Sequence, residues 1–179
     1  MEKYNSLLAF LIIIAEQIGD FKNEDDTIRY CLLTLTDIGL DNLISDLNDI
    51  LNTEQNMLLN LIQSTPLAFD SKESARSWIE RLKKIATNIG PDGIREFNHK
   101  FSHFWSRSSK RNKRYAVLSH NRPKSSNAAF GCDEIIDLKE NKVVDFDDLA
   151  TKQAIIYQMA VRGFPTVRYD SENYGYQID

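Results

Sequence analysis

Apolar residues recur every three or four positions through most of the first hundred residues of this 179-residue chain. This spacing constrains the fold more than any other feature, because it is typical of amphipathic helices, whereas strands alternate with a period of two. Between the periodic stretches lie capping residues or the helix stops Thr65-Pro66 and Gly90-Pro91. The sequence therefore predicts an N-terminal bundle of about five helices within residues 1–106.

Most boundaries of the predicted helices are marked by capping residues, by Gly or by Pro. The spans are 4–19, then from the polar stretch 23–26 to Gly39, then 41–62, 70–89 and 92–106. Polar residues at 52–56 leave open that the third span divides in two. Asp70 and Glu73 give the fourth span a start that resembles a capping box.

The sequence changes character after Ser106 and predicts a smaller α+β part over 107–179. Strands are expected at 115–118, at 134–138 and 142–146, which form a hairpin, and at 166–169. Asp147 or Asp148 caps a helix that extends to about Arg162, and the polar tail from Asp170 is expected to be loosely held. The fold class is thus α+β and mostly α, with a basic linker at 107–127. The two parts form either one cooperative domain or two abutting ones.

The charge is distributed very unevenly, although the formal net charge is only −4. Residues 1–70 carry −9, residues 71–124 carry +10 and residues 125–179 carry −5. Such asymmetry predicts either an anionic partner or self-association through opposite patches.

The basic segment, residues 107–124, holds seven Lys and Arg residues and no acidic residue. Clustered cations attract phosphate backbones through Coulomb forces and counterion release, and interspersed aromatic rings can stack on unpaired bases. We expect nucleic-acid contacts from Arg107, Lys110, Arg111, Lys113, Arg114, Tyr115, Arg122 and Lys124. The fourth predicted helix adds Lys72, Arg76, Lys83 and Lys84, which could extend the basic surface.

The leading functional hypothesis is a nucleic-acid-binding or regulatory protein without enzymatic activity. RNA or single-stranded nucleic acid is favoured, because no helix-turn-helix spacing stands out. Two alternatives stay open. The cations could pair with the acidic N-terminal third, within the chain or in a homo-oligomer, or they could bind an acidic protein partner. In either case the chain would be a protein-interaction module, such as an inhibitor, immunity or assembly factor.

Glu96, His99 and His103 share one face of the fifth predicted helix. Two imidazoles one turn apart can chelate a transition metal, and a carboxylate can add a third ligand. The competing interpretation is an exposed polar face of an amphipathic helix. No cofactor is predicted otherwise, and a divalent metal remains the one candidate.

The element order from residue 92 and the acids around the hairpin resemble the PD-(D/E)xK nuclease superfamily. The acids lie at Asp133, Glu134, Asp145 and Asp147, and Gln153 with Tyr157 resembles the Gln-x3-Tyr pattern of a RecB-like branch. The resemblance implies a metal-dependent phosphodiesterase. Its metal ligands would be Asp133 or Glu134, Asp145, and His99 or His103. The family's lysine position holds Asp147, so Lys139, Lys142 or Lys152 would have to replace that lysine. The same acids also suit a plain hairpin followed by a helix N-terminus.

Composition places the chain among ordinary globular proteins. The two cysteines, Cys31 and Cys132, cannot form a disulfide framework, and the longest apolar run, Leu7–Ala15, is far shorter than the roughly 18 residues of a membrane span. We therefore expect a soluble, cytoplasmic protein with no membrane contact, and we expect that apolar run to form a buried helix.

Overall fold

A computed structural model describes residues 4–18, 23–53, 55–107, 114–119, 133–170 and 175–178. The helices among them are α1 (Asn5–Gln17), α2 (Glu24–Leu33), α3 (Asp37–Asn52), α4 (Gln55–Gln63), α5 (Lys72–Arg107) and α6 (Leu149–Val161). The strands are β1 (Tyr115–Ser119), β2 (Glu134–Asp137), β3 (Lys142–Val143), β4 (Thr166–Asp170) and β5 (Gly175–Ile178). The predicted α+β, mostly α class is confirmed, with five helices before the first strand.

The chain divides into two compact units, an N-terminal unit (Met1–Arg95) and a C-terminal unit (Glu96–Asp179). The division lies within α5, whereas the predicted domains meet at 106/107. The predicted domain organisation stays a prediction.

The N-terminal unit is built around apolar stripes on its helices. In α1, Leu7, Leu11 and Ile14 are fully buried, as the predicted buried helix requires. The first half of α5 buries Trp78 and Ile79 among others, at the spacing that places them on one face. The Trp78 indole N–H donates to Glu24 Oε1 at 2.8 Å, which joins α5 to the start of α2.

The boundary between α2 and α3 differs from the prediction. The second helix ends at Leu33 rather than near Gly39, and α3 begins at Asp37 rather than at Asp41. The reason is a cap that periodicity does not show, since the Thr36 hydroxyl accepts from the Gly39 N–H at 3.0 Å and starts a helix there. The predicted division of the third helix near 52–56 is confirmed, because α3 ends at Asn52 and α4 begins at Gln55.

The start of α5 is capped one residue later than predicted. Ser71 and Ser74, rather than Asp70 and Glu73, exchange hydrogen bonds between side chain and backbone at 3.0 and 3.1 Å. The predicted stop at Gly90-Pro91 is a kink between two helical stretches. Gly90 adopts φ 55°, which favours glycine, and it directly precedes Pro91.

The C-terminal unit contains a five-stranded sheet with the order β3-β2-β1-β4-β5. The central strand β1 pairs with β4 in parallel and with β2 antiparallel, and the other neighbours are antiparallel. From α5 onward, the predicted order of helix, three strands, helix and strand is confirmed.

Two strand predictions need correction. The second hairpin strand covers only Lys142–Val143, not 142–146, although the Val144 N–H still donates to the Ile135 carbonyl at 2.8 Å. The tail from Asp170 was expected to be loosely held, but it contains β5. Residues 175–178 form this strand because they pair with the backbone hydrogen-bonding groups of β4. Within the predicted basic linker at 107–127, residues 108–113 and 120–127 lie outside the described residues.

Alternation along β1 gives the sheet two different faces. Ala116 and Leu118 pack with Ile136 and Val167 in one apolar cluster. On the other face, the Tyr115 ring lies edge-on to the Phe104 ring of α5 at 5.0 Å. The last turns of α5 therefore belong structurally to the sheet unit. In the described part of the chain, no helix has the length and hydropathy needed to cross a membrane.

Candidate functional site

The structure describes two parts of the predicted basic segment, residue 107 and residues 114–119. Helix α5 ends at Arg107, Arg114 directly precedes β1, and β1 ends at Ser119. Lys110, Arg111, Lys113, Arg122 and Lys124 lie outside the described residues. The basic segment thus contains the central strand of the sheet, and its remaining cations lie on both sides of that strand in the sequence.

Arg114, which is partly exposed, forms an ion pair with the buried Asp137, the last residue of β2. Its Nε and Nη2 atoms donate to Asp137 Oδ2 at 2.9 and 2.7 Å, and its carbonyl accepts from the Leu138 N–H at 2.7 Å. The other Asp137 oxygen accepts from the backbone N–H groups of Lys139 and Glu140 at 3.0 and 3.2 Å. One carboxylate therefore fixes both the entry to β1 and the turn between β2 and β3.

The electrostatics agree with this geometry. Burial alone would raise the pKa of Asp137, but hydrogen bonds from Arg114 and the two turn N–H groups outweigh it and lower that pKa. The hydrogen bond to Asp137 is the main cause that raises the pKa of Arg114. Arg114 therefore stabilises the fold, because two N–H donors of its guanidinium already bind the Asp137 carboxylate.

Tyr115 is 4% exposed and is enclosed by aromatic residues. Besides Phe104, the His103 ring lies at 6.3 Å, and the Arg114 guanidinium lies 5.4 Å from the ring centroid. A base cannot stack on a ring whose faces are covered in this way. We therefore no longer expect nucleic-acid contacts from Arg114 and Tyr115, whereas those of the other cations of the basic segment stay a prediction.

The Glu96, His99 and His103 side chains are exposed on α5, on the polar face that the sequence predicts. Glu96 pairs with Lys100 at 3.0 Å, and the His103 ring lies edge-on to Phe104 at 5.7 Å. Among the described residues, no group of three or more His, Cys, Asp or Glu side chains is placed to hold a metal ion. This holds for the predicted ligands Asp133 and Asp145 as well.

Three of the four acids predicted around the hairpin line a cleft of about 370 Å³ together with Lys152 from α6. Glu134, Asp145 and Asp147 are among the lining residues. Lys152 Nζ lies 2.9 Å from Glu134 Oε1, and the lysine side chain is only 12% exposed. Of the three lysines considered as replacements, Lys152 is the one that lines this cleft, whereas Lys142 lines a second cleft beside Arg114 and Asp137.

The Gln-x3-Tyr pair lies on α6, but its two members differ in environment. Gln153 is 2% exposed, while Tyr157 is 44% exposed. The helix itself begins at the predicted cap, since Asp148 Oδ2 accepts from the Thr151 N–H at 2.9 Å. Asp148, rather than Asp147, is therefore the capping residue, and Asp147 remains in the cleft.

Asp137 is absent from the predicted site residues, although its carboxylate accepts four hydrogen bonds beside the basic segment. A signal was present, because Asp137 directly follows the apolar pair Ile135-Ile136 and precedes a turn. A charged residue at the end of a buried strand requires a partner, and an arginine at the start of a neighbouring strand can supply it. No family model, curated protein or solved structure matches this chain.

Proposed function

We propose that this protein binds nucleic acid, RNA or single-stranded in preference, through phosphate contacts of the basic segment and without catalysis. The observation that supports the proposal most is the composition of the basic segment, which has seven cations and no acid in a chain of net charge −4. Of those seven, Arg114 is neutralised by Asp137. The contact set is therefore Arg107, Lys110, Arg111, Lys113, Arg122 and Lys124.

Charge elsewhere supports single strands over duplex DNA. Helices α2 and α3 are joined by the short connection 34–36, as in a helix-turn-helix. However, α3 carries four Asp residues and no Lys or Arg. A helix with that charge would be repelled from the phosphates that flank a major groove. The acidic termini would likewise limit indiscriminate binding and concentrate attraction on the basic segment.

The test is binding of short labelled RNA, single-stranded DNA and duplex DNA, measured by fluorescence anisotropy. With about six phosphate contacts, affinity for a single strand should fall roughly a hundredfold or more between about 50 and about 200 mM salt. The double variant Arg111→Glu/Lys113→Glu should weaken binding at least about tenfold, because it replaces two attractive charges with two repulsive ones.

The matched control is Lys139→Glu/Lys142→Glu, which makes the same charge change on exposed hairpin residues outside the basic segment. It should leave affinity nearly unchanged. Equal weakening by both variants would show that only net charge matters. No binding at the lower salt concentration would overturn the proposal, and salt-sensitive self-association without nucleic acid would then favour a protein-interaction module.

A metal-dependent phosphodiesterase remains the enzymatic alternative, because the cleft brings Glu134, Asp145 and Lys152 together. Lys152 pairs with Glu134 there, and among the described residues no group of three His, Cys, Asp or Glu side chains is placed to hold a metal ion. The same binding experiment with added Mn²⁺ or Mg²⁺ tests the phosphodiesterase alternative. Cleavage products that form with the wild type and are absent with Asp145→Asn would show that the protein hydrolyses nucleic acid.

A further inference from the structure

A second basic surface lies in the N-terminal unit, in a cleft of about 470 Å³ between the end of α3 and the first half of α5. We infer that this cleft binds the phosphate group of a phosphate ester. Its lining residues are Leu51, Asn52, Arg76, Glu80, Lys83, Lys84, Thr87 and Asn88. All of them belong to the N-terminal unit, so this inference does not depend on the basic segment.

The cleft arises from the helical spacing of α5. Positions 76, 80, 83, 84, 87 and 88 follow one another at intervals that place them on one side of a helix. The neighbouring stripe, which includes Ile79 and Leu82, is buried in the core of the unit. Packing of this apolar stripe in the core fixes the position of α5 and so of its polar side, as a binding surface requires.

Arg76 is pre-positioned within the cleft. Its Nη2 atom donates to the Leu51 carbonyl at the end of α3 at 3.1 Å, and its Nε atom donates to Glu80 Oε1 at 3.1 Å. The Leu51 carbonyl and the Glu80 carboxylate, the one acid of the cleft lining, therefore both accept hydrogen bonds from Arg76. Unlike Arg114, which directs both engaged donors at one buried carboxylate, Arg76 is 38% exposed and shares them between a carbonyl and an exposed acid, so its three other N–H donors can reach a ligand.

Lys83 and Lys84 provide the net positive charge. Neither lysine makes an ion pair within the described residues, whereas Arg76, Arg81 and Lys100 of the same helix do. With Arg76 and Glu80 compensating each other, the lining carries a formal charge of +2 in a unit whose first 70 residues carry −9. Asn52, Thr87 and Asn88 add side-chain N–H and O–H groups that can donate hydrogen bonds to phosphate oxygens.

The phosphate could come from a small ester or from a nucleic-acid backbone, and three probes separate these sources. Backbone amide shifts are recorded by NMR on the full chain during titration with inorganic pyrophosphate, a 5′-mononucleotide and a short single-stranded oligonucleotide. We expect pyrophosphate to shift the amides of Lys83, Lys84, Thr87 and Asn88. An oligonucleotide that binds more tightly than the mononucleotide identifies a backbone phosphate, and equal affinities identify a small ester.

Lys83→Gln/Lys84→Gln should weaken pyrophosphate binding about tenfold or more, which corresponds to the loss of both unpaired charges. The matched control is Lys72→Gln/Lys100→Gln, two cations of the same helix outside the cleft, and it should bind like the wild type. Absence of shifts at about 10 mM pyrophosphate, or equal weakening in the control, would overturn the inference. Arg111→Glu/Lys113→Glu should leave these shifts unchanged, so the cleft and the basic segment can fail independently.

Discussion

Replacing Asp137 with alanine is expected to lower the free energy of unfolding of the C-terminal unit by about 3 kcal/mol. Asp137 is 4% exposed and accepts four hydrogen bonds, two from Arg114 and two from the turn backbone. Alanine leaves the Arg114 guanidinium without its carboxylate and the turn N–H groups without their acceptor. Hydrogen exchange of the amides in β1 and β2 measures the loss where it should occur.

Asp137→Asn separates charge from turn capping. Its side-chain oxygen can still accept from Lys139 and Glu140, so we expect a smaller loss than in Asp137→Ala. Equal losses would show that the charge is what stabilises the site. Unchanged exchange in Asp137→Ala would contradict the assignment of Asp137 as the residue that links β1 to the hairpin.

The same carboxylate predicts the pH dependence of stability. Its pKa is lower in the folded than in the unfolded state, so the unfolded chain binds the proton more readily. The stabilisation is therefore complete above the unfolded pKa of about 3.9 and is lost as the pH falls through the lower folded value. Acid unfolding of Asp137→Asn should show a correspondingly weaker dependence in this range.

Replacing Phe104 with alanine is expected to cost about 3–5 kcal/mol, the range for removing a buried aromatic ring. Phe104 is 7% exposed and contacts Tyr115 at 5.0 Å and Phe146 at 6.0 Å between ring centroids. The ring therefore fixes the last turns of α5 against β1 and against the residues that follow β3. Denaturant unfolding followed by circular dichroism, with exchange of β1 amides, measures the effect.

Phe104→Leu is the conservative comparison, because it keeps an apolar side chain of smaller volume and should lose less. Ser102→Ala on the same helical stretch is the control, since Ser102 is exposed and its hydroxyl donates to the backbone carbonyl of His99 one turn earlier. A loss below about 1 kcal/mol for Phe104→Ala would show that α5 is not anchored through this ring.

Much of the fold could be predicted because the signals are local. Periodicity gave the helices of the N-terminal unit, Asp148 was one of two predicted caps, and the hairpin followed from strand and turn composition. The Thr36 cap was missed because apolar spacing continues across Ile38, which is 73% exposed in the folded chain. Hydrophobicity alone cannot tell an exposed isoleucine from a buried one.

The site was harder to predict, because its decisive contacts are distant in the sequence. Arg114 and Asp137 are separated by the whole stretch from β1 to the end of β2, and a cluster of cations gives no indication of which member is bound. Tyr115 lies next to cations in the sequence, but strand alternation directs it to Phe104. The strand β5 was missed because a short, polar stretch forms a strand only when β4 supplies its partner.

The parallel pairing of β1 with β4 affects the order of events during synthesis. Val117 pairs with Thr166, so the central strand lacks one neighbour until residue 166 has been synthesised. The helices of the N-terminal unit depend on nearer partners and can form earlier. A nascent chain would thus carry its basic segment beside an incomplete sheet, next to the polyanionic ribosomal RNA, before β4 completes the strand's hydrogen bonds.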